Sequence, residues 1–179
     1  MNLENSIAVL GMAVRTSGAS DANELWELIR RGQSSYTCSI STRQDHIPLK
    51  NPIADYDRFD ATFFGFGERE AEVLDPQRRM LFETVWHAFE DAAQVPGMTR
   101  TGTFMSVSQS EYFLLHLGSR PDLFDTLGGM LLGVSNGQDF AATQLAYKLD
   151  LRGPALNINT ACSGSLVAVH AAISSLLAF

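Results

Sequence analysis

Cysteine is scarce in this 179-residue chain: it occurs only at Cys38 and Cys162, far apart and in no metal-ligand spacing. Two such residues build neither a disulfide framework nor a zinc site, which fits a reducing compartment. Basic residues are also few, with 13 Lys and Arg against 20 Asp and Glu for a net charge of −7. Without a basic cluster, that balance argues against nucleic acid as a partner. Long apolar runs are missing. The stretch 166–179 is too short to span a bilayer, and the opening MNLENSIAVLGMAV carries Glu4 and makes a poor signal peptide. A cytoplasmic chain with no membrane partner is expected. There is no glycine-rich, phosphate-cradling loop and no internal repeat. Neither a directly bound cofactor nor a metal is expected.

What is present describes a globular chain with ample core, at 45% apolar and 18% charged residues, sized for one domain or part of a larger one. Residues 6–14, SIAVLGMAV, form an apolar run that predicts a strand ending near Gly11. Asp21 is placed to cap a helix containing Leu25, Trp26, Leu28 and Ile29 and closed at Gly32. Residues 33–60 show no periodicity. Asp75-Pro76 is the clearest helix start, an N-cap followed by proline at the first helical position. Leu81, Val85, Ala88, Phe89 and Ala92 then recur at helical spacing, and Pro96-Gly97 marks the stop. A strand over 101–108, an ambiguous stretch 111–134 broken at Gly128-Gly129, a helix over 139–147 and a turn at Arg152-Gly153-Pro154 follow. The alternation predicts an α/β fold, a mostly parallel sheet with helices on both faces.

The most informative run is LNINTACSGSLVAVHAAISSLLAF, residues 156–179. Leu156, Ile158 and Thr160 alternate with Asn157 and Asn159, as in a short strand. From Leu166 onward the residues form a helix, apolar nearly all round and so expected to be buried. Between them lie only small residues, among them Cys162. A turn that tight lets a side chain stand above the sheet with backbone N–H groups aimed at what it attacks, and a helix N-terminus favours a thiolate. Cys162 is therefore either a nucleophile or a small buried hydrophobe packing the joint. No partner base presents itself. His46 falls in a loop, His87 mid-helix and His116 in the ambiguous stretch, all structural or solvated. His170 is two helical turns from Cys162, about 12 Å along the axis, and is expected in the core. The carboxylates of DYDRFD, residues 55–60, lack the spacing of an acid/base pair.

Several ordered motifs together resemble one family. IAVLGMAVR (7–15), FDATFFGFGEREAEVLDPQRRMLFETVWHAFEDA (59–92), RTGTFMSVSQSEY (100–112) and YKLDLRGPALNINTACSGSLVAVHAA (147–172) are similar to the N-terminal half of a β-ketoacyl synthase, the ketosynthase domain of polyketide synthases. The resemblance implies the N-terminal half of a thiolase-like fold over residues 1–179, truncated after the nucleophile helix, and a homodimer. It implies that Cys162 is the catalytic nucleophile and its N–H an oxyanion donor. An acyl group would arrive on the phosphopantetheine of an acyl carrier protein and pass to Cys162. A malonyl-type thioester would then lose carbon dioxide and condense with it, in polyketide or fatty acid biosynthesis.

In the family two assisting histidines and a second oxyanion donor lie well downstream of the cysteine. The 179-residue chain alone is therefore expected to be inactive: a fragment, a split gene product or a remnant. The resemblance also leaves a silent ketosynthase-like domain serving dimerisation or carrier docking, a decarboxylase, and a cysteine hydrolase as alternatives, the last two disfavoured by Cys162 itself and by the lack of a base. Six positions depart from the family pattern: Asn159 for a common Asp, Gly164 for a frequent Ser, Thr143-Gln144 for Gly-Arg, Ser106 for Gly and Ser135 for the Gly before Asn136. Thr16-Ser17-Gly18 also replaces a Phe-Pro-Gly turn.

Overall fold

Two helices of this chain, the first and the third, start at side chains that satisfy unpaired N–H groups of a first turn. The computed structural model describes residues 6–38 and 49–178. Asp21 accepts from the Glu24 N–H at 2.8 Å and opens α1 (Ala22–Arg30). That helix closes where predicted: Gly32 takes φ +60°, its N–H donates to Ile29 O and the Gln33 N–H to Leu28 O, the paired bonds of a Schellman motif. A six-residue helix, α2 (Glu68–Val73), is too short to show a period in the sequence. Asp75 caps α3 (Pro76–Asp91), accepting from the Gln77 N–H at 2.9 Å with Pro76 at the first position. α3 ends ahead of Pro96, as expected.

The predicted strand over 6–14 does not form: these residues run as irregular chain, with Val9 84% and Leu10 70% exposed. Apolar sequence suits a strand only when a neighbour offers a ladder, and no described strand pairs with this segment. It is held instead by the Met12 N–H, which donates to Asp91 Oδ2 at 2.8 Å, and by Arg15, which pairs with Glu83 and donates to the Ala54 and Asp55 carbonyls. Conversely, β1 (Thr37–Cys38) and β2 (Leu49–Lys50) make a brief antiparallel pair inside the stretch read as irregular.

The parallel sheet is small among the described residues. β3 (Thr103–Met105) and β4 (Ala155–Asn157) pair in parallel, Thr103 opposite Ala155 and Met105 opposite Asn157. The ambiguous stretch resolves into a π-helical turn, Phe113–Leu117, and α4 (Pro121–Asn136), which kinks where Gly128 adopts φ +78°. A 3-10 turn, Gln138–Phe140, leads into α5 (Ala141–Lys148), and α6 (Gly164–Leu177) follows β4. Both α5 and α6 pack on the strand pair. The main core joins Phe64, Phe66, Leu74 and Phe82 to Leu145, Leu149 and Leu151. Asp60 Oδ1 accepts from the Phe63 N–H and Gly65 turns at φ +67°, which aims Phe64 and Phe66 inward to meet Phe82 at ring distances of 5.4 and 5.2 Å. A second cluster gathers Val73, Leu117, Leu123 and Leu132 between α2 and α4.

A candidate nucleophile turn

β4 keeps its alignment one residue past its end, where the Ile158 N–H donates to Met105 O at 2.8 Å. The chain then turns. Asn159 Nδ2 donates to Gln138 Oε1 at 3.0 Å, tying the start of the turn to the segment ahead of α5. Ala161 takes φ +51°, a left-handed conformation uncommon for a residue with a side chain. A 3-10 turn, Ala161–Ser163, carries Cys162 and runs straight into α6. Ser163 Oγ donates back to Thr160 O at 2.9 Å and Thr160 Oγ1 at 3.0 Å, closing the loop on itself.

The Cys162 thiol is free and exposed. The first turn of α6 has no side-chain cap; at its entry the Gly164 N–H donates to Ala161 O and the Ser163 N–H to Thr160 O. Gly164, the first residue of α6, is buried against the end of β3.

No hydrogen bond joins Cys162 to a histidine or carboxylate among the described residues. His87 bonds Glu90 at 2.9 Å on the outer face of α3, and with Trp86 Nε1 it holds the Glu90 carboxyl below its usual value. His116 lies against the Tyr112 ring, tilted at 37° with centroids 5.5 Å apart, and His46 lies outside the described residues. The expectation that His170 sits in the core is corrected: it is exposed on α6, because only the face bearing Gly164 and Ala168 meets the strand pair. In DYDRFD, Asp55 pairs with Arg58 at 3.2 Å and Asp60 serves the turn at Phe63. No group of three or more His, Cys, Asp or Glu among the described residues is placed to hold a metal.

Nothing in the local sequence signals the frame behind this turn. Arg78 is buried in α3, donates to Gln144 Oε1 at 2.8 Å, and also bonds the Val134 and Gly137 carbonyls. It thereby fixes the corner from which Gln138 reaches Asn159. Its only trace in the sequence is its place four residues before Phe82, on the buried stripe of α3.

The turn presents an exposed cysteine between a parallel strand and a helix, and comparison with known proteins gives the family. Residues 4–178 match the family model described as β-ketoacyl synthase, N-terminal domain, and the chain belongs to that family. It is 40% identical to a phenolphthiocerol/phthiocerol polyketide synthase of Mycobacterium tuberculosis, over 97% of this chain and 13% of that protein. It is 34% identical to a mycocerosic acid synthase-like polyketide synthase of the same organism, over 95% of this chain and 9% of that one. Ketosynthase twelve of the bacillaene polyketide synthase of Bacillus amyloliquefaciens superposes with a TM-score of 0.86 at 29% identity, over 98% of this chain and 31% of that one. The module 1 ketosynthase of that synthase gives 0.84 at 32% identity, over 97% and 33%. The fold is thus the N-terminal part of a thiolase-like ketosynthase, and the chain spans about an eighth or less of these curated relatives. No helix among the described residues is long and apolar enough to cross a membrane.

Proposed function

We propose that residues 1–179 are the nucleophile-bearing part of a ketosynthase and that Cys162 accepts the growing acyl chain. The observation that carries this is the exposed thiol on the strained turn ahead of the uncapped first turn of α6. The Cys162 thiolate attacks the carbonyl carbon of an acyl thioester borne on the phosphopantetheine arm of an acyl carrier protein. Negative charge gathers on the carbonyl oxygen, where backbone donors including the Cys162 N–H stabilise it. The carbon–sulfur bond to the carrier thiol breaks and that thiol leaves with a proton. A malonyl-type thioester then loses carbon dioxide, and the freed electron pair makes its α-carbon an enolate. That carbon attacks the Cys162 thioester, the new carbon–carbon bond forms, and Cys162 departs as thiolate. Phosphopantetheine is substrate here, and no cofactor sits on the chain itself.

The reaction serves polyketide or fatty acid elongation, run by a homodimer in the cytoplasm. His87, His116 and His170 take no part, since none is bonded to the Cys162 turn. The test is Cys162→Ala in the full-length gene product. It should abolish elongation of an acyl thioester by malonyl-carrier protein, as followed by product mass. Elongation at the unaltered rate would refute the assignment.

A further inference from the structure

Ser106, directly after β3, lies over the start of the nucleophile helix. Gly164 is buried there, and a Cβ built on it would stand 2.9 Å from the Ser106 Cβ and closer still to its Oγ. Side chains do not approach that closely, so the two positions share room for one side chain, which residue 106 supplies. The Ser106 hydroxyl makes no hydrogen bond to any described residue. Gly164 is not demanded by its backbone either, which is helical at φ −53°; any residue adopts that conformation. The glycine is required by Ser106 alone. Gly164 is two residues from Cys162, so the contact lies within about 7 Å of the cysteine Cα along the chain.

We propose that Ser106 is a positioning residue for Cys162: it seats the first turn of α6 through Gly164 and so sets where the thiol and its neighbouring N–H groups point. The proposal rests on Cys162 being the acyl acceptor, but the contact can be tested without that reading. Side chains at 106 and 164 are mutually exclusive. Gly164→Ser alone forces α6 away from β3, and Ser106→Gly alone leaves the turn unsupported. Exchanging the two residues restores one side chain to the shared space.

The experiment compares the wild-type full-length protein with Gly164→Ser, Ser106→Gly and the double exchange. Alkylation of Cys162 by iodoacetamide is followed by peptide mapping as a function of pH, beside acyl-thioester loading and thermal melting. Gly164→Ser should slow alkylation of Cys162 about 2- to 5-fold, the size of a lost helix-terminus effect. Ser106→Gly should do the same more weakly with little change in melting. The double exchange should regain the wild-type profile. If Gly164→Ser fails to fold, recovery of folding and profile in the exchange supports the pairing. An exchange no better than Gly164→Ser, or single variants with the wild-type profile, would overturn it. Loss of acyl loading in every protein with the alkylation pattern intact would count against the acyl-acceptor role instead.

Discussion

Arg78 is 1% exposed and bonds no carboxylate among the described residues, an unusual lodging for a cation. Burial lowers its pKa from the usual arginine value, offset in part by the charges of Asp75 and Asp139. It bonds three acceptors, from α4, the following turn and α5, of which Gly137 O also accepts from the Phe140 N–H. Removing Arg78 takes the donor from the buried Gln144 Oε1 and the part-buried Val134 O, at about 1–3 kcal/mol for each left unsatisfied. Arg78→Ala should therefore lower stability by on the order of 3 kcal/mol or more, seen as a large drop in melting temperature and soluble yield. A melt unchanged within error would show that water replaces the guanidinium. Departures from the family pattern become intelligible at this scale too. Gln144 supplies the acceptor Arg78 needs, where a second arginine would bring a like charge. Asn159 donates to Gln138, which a carboxylate cannot do. Each is visible as a departure in the sequence, but its partner lies 66 or 21 residues away, and only the fold brings them together. Ser135 is fully buried and its hydroxyl bonds no described residue, and nothing in the structure explains it.

Elements with chemical punctuation are legible in the sequence. Asp21 with Gly32, and Asp75 with Pro76, mark α1 and α3 because capping is local. Strands are less so. The apolar run 6–14 lacks a ladder partner, β1 and β2 are two residues each, and the kink of α4 needs Gly128 at positive φ without saying how the helix resumes. The turn at Cys162 is legible as a run of small residues between two periods. The strain at Ala161 and the contact of Gly164 with Ser106 are not. At the α3 cap, Asp75 is buried and also accepts from Gln77 Nε2 at 3.2 Å. Asp75→Ala should cost about 1–2 kcal/mol and Asp75→Asn less, since asparagine keeps the cap while giving up the acceptor for Gln77 Nε2 and the charge near Arg78. Equal losses from both, read from thermal melts, would mean that charge rather than capping matters there.

For the whole molecule, α6 decides behaviour in solution. Leu166 is 74%, Val169 54%, Leu176 64% and Leu177 52% exposed, so the helix that follows Cys162 shows most of its apolar surface to water. Each such side chain forgoes about 1.5–3 kcal/mol of burial, and a contiguous patch drives association. Residues 1–179 expressed alone should oligomerise or bind an apolar dye, and co-expression with the remaining part of a ketosynthase domain should suppress both. A dye-silent monomer in sedimentation would show that the face needs no cover. The chain's span of about a third of the solved ketosynthases fits that requirement.

Acyl transfer to Cys162 is the step on which the functional reading depends, and intact-mass spectrometry measures it directly. The full-length protein is incubated with an acyl-phosphopantetheine thioester, then digested and mapped. The expected result is one added acyl mass, confined to the peptide holding Cys162, released by hydroxylamine and missing in Cys162→Ala. An unmodified Cys162, or label that persists in Cys162→Ala, would contradict it.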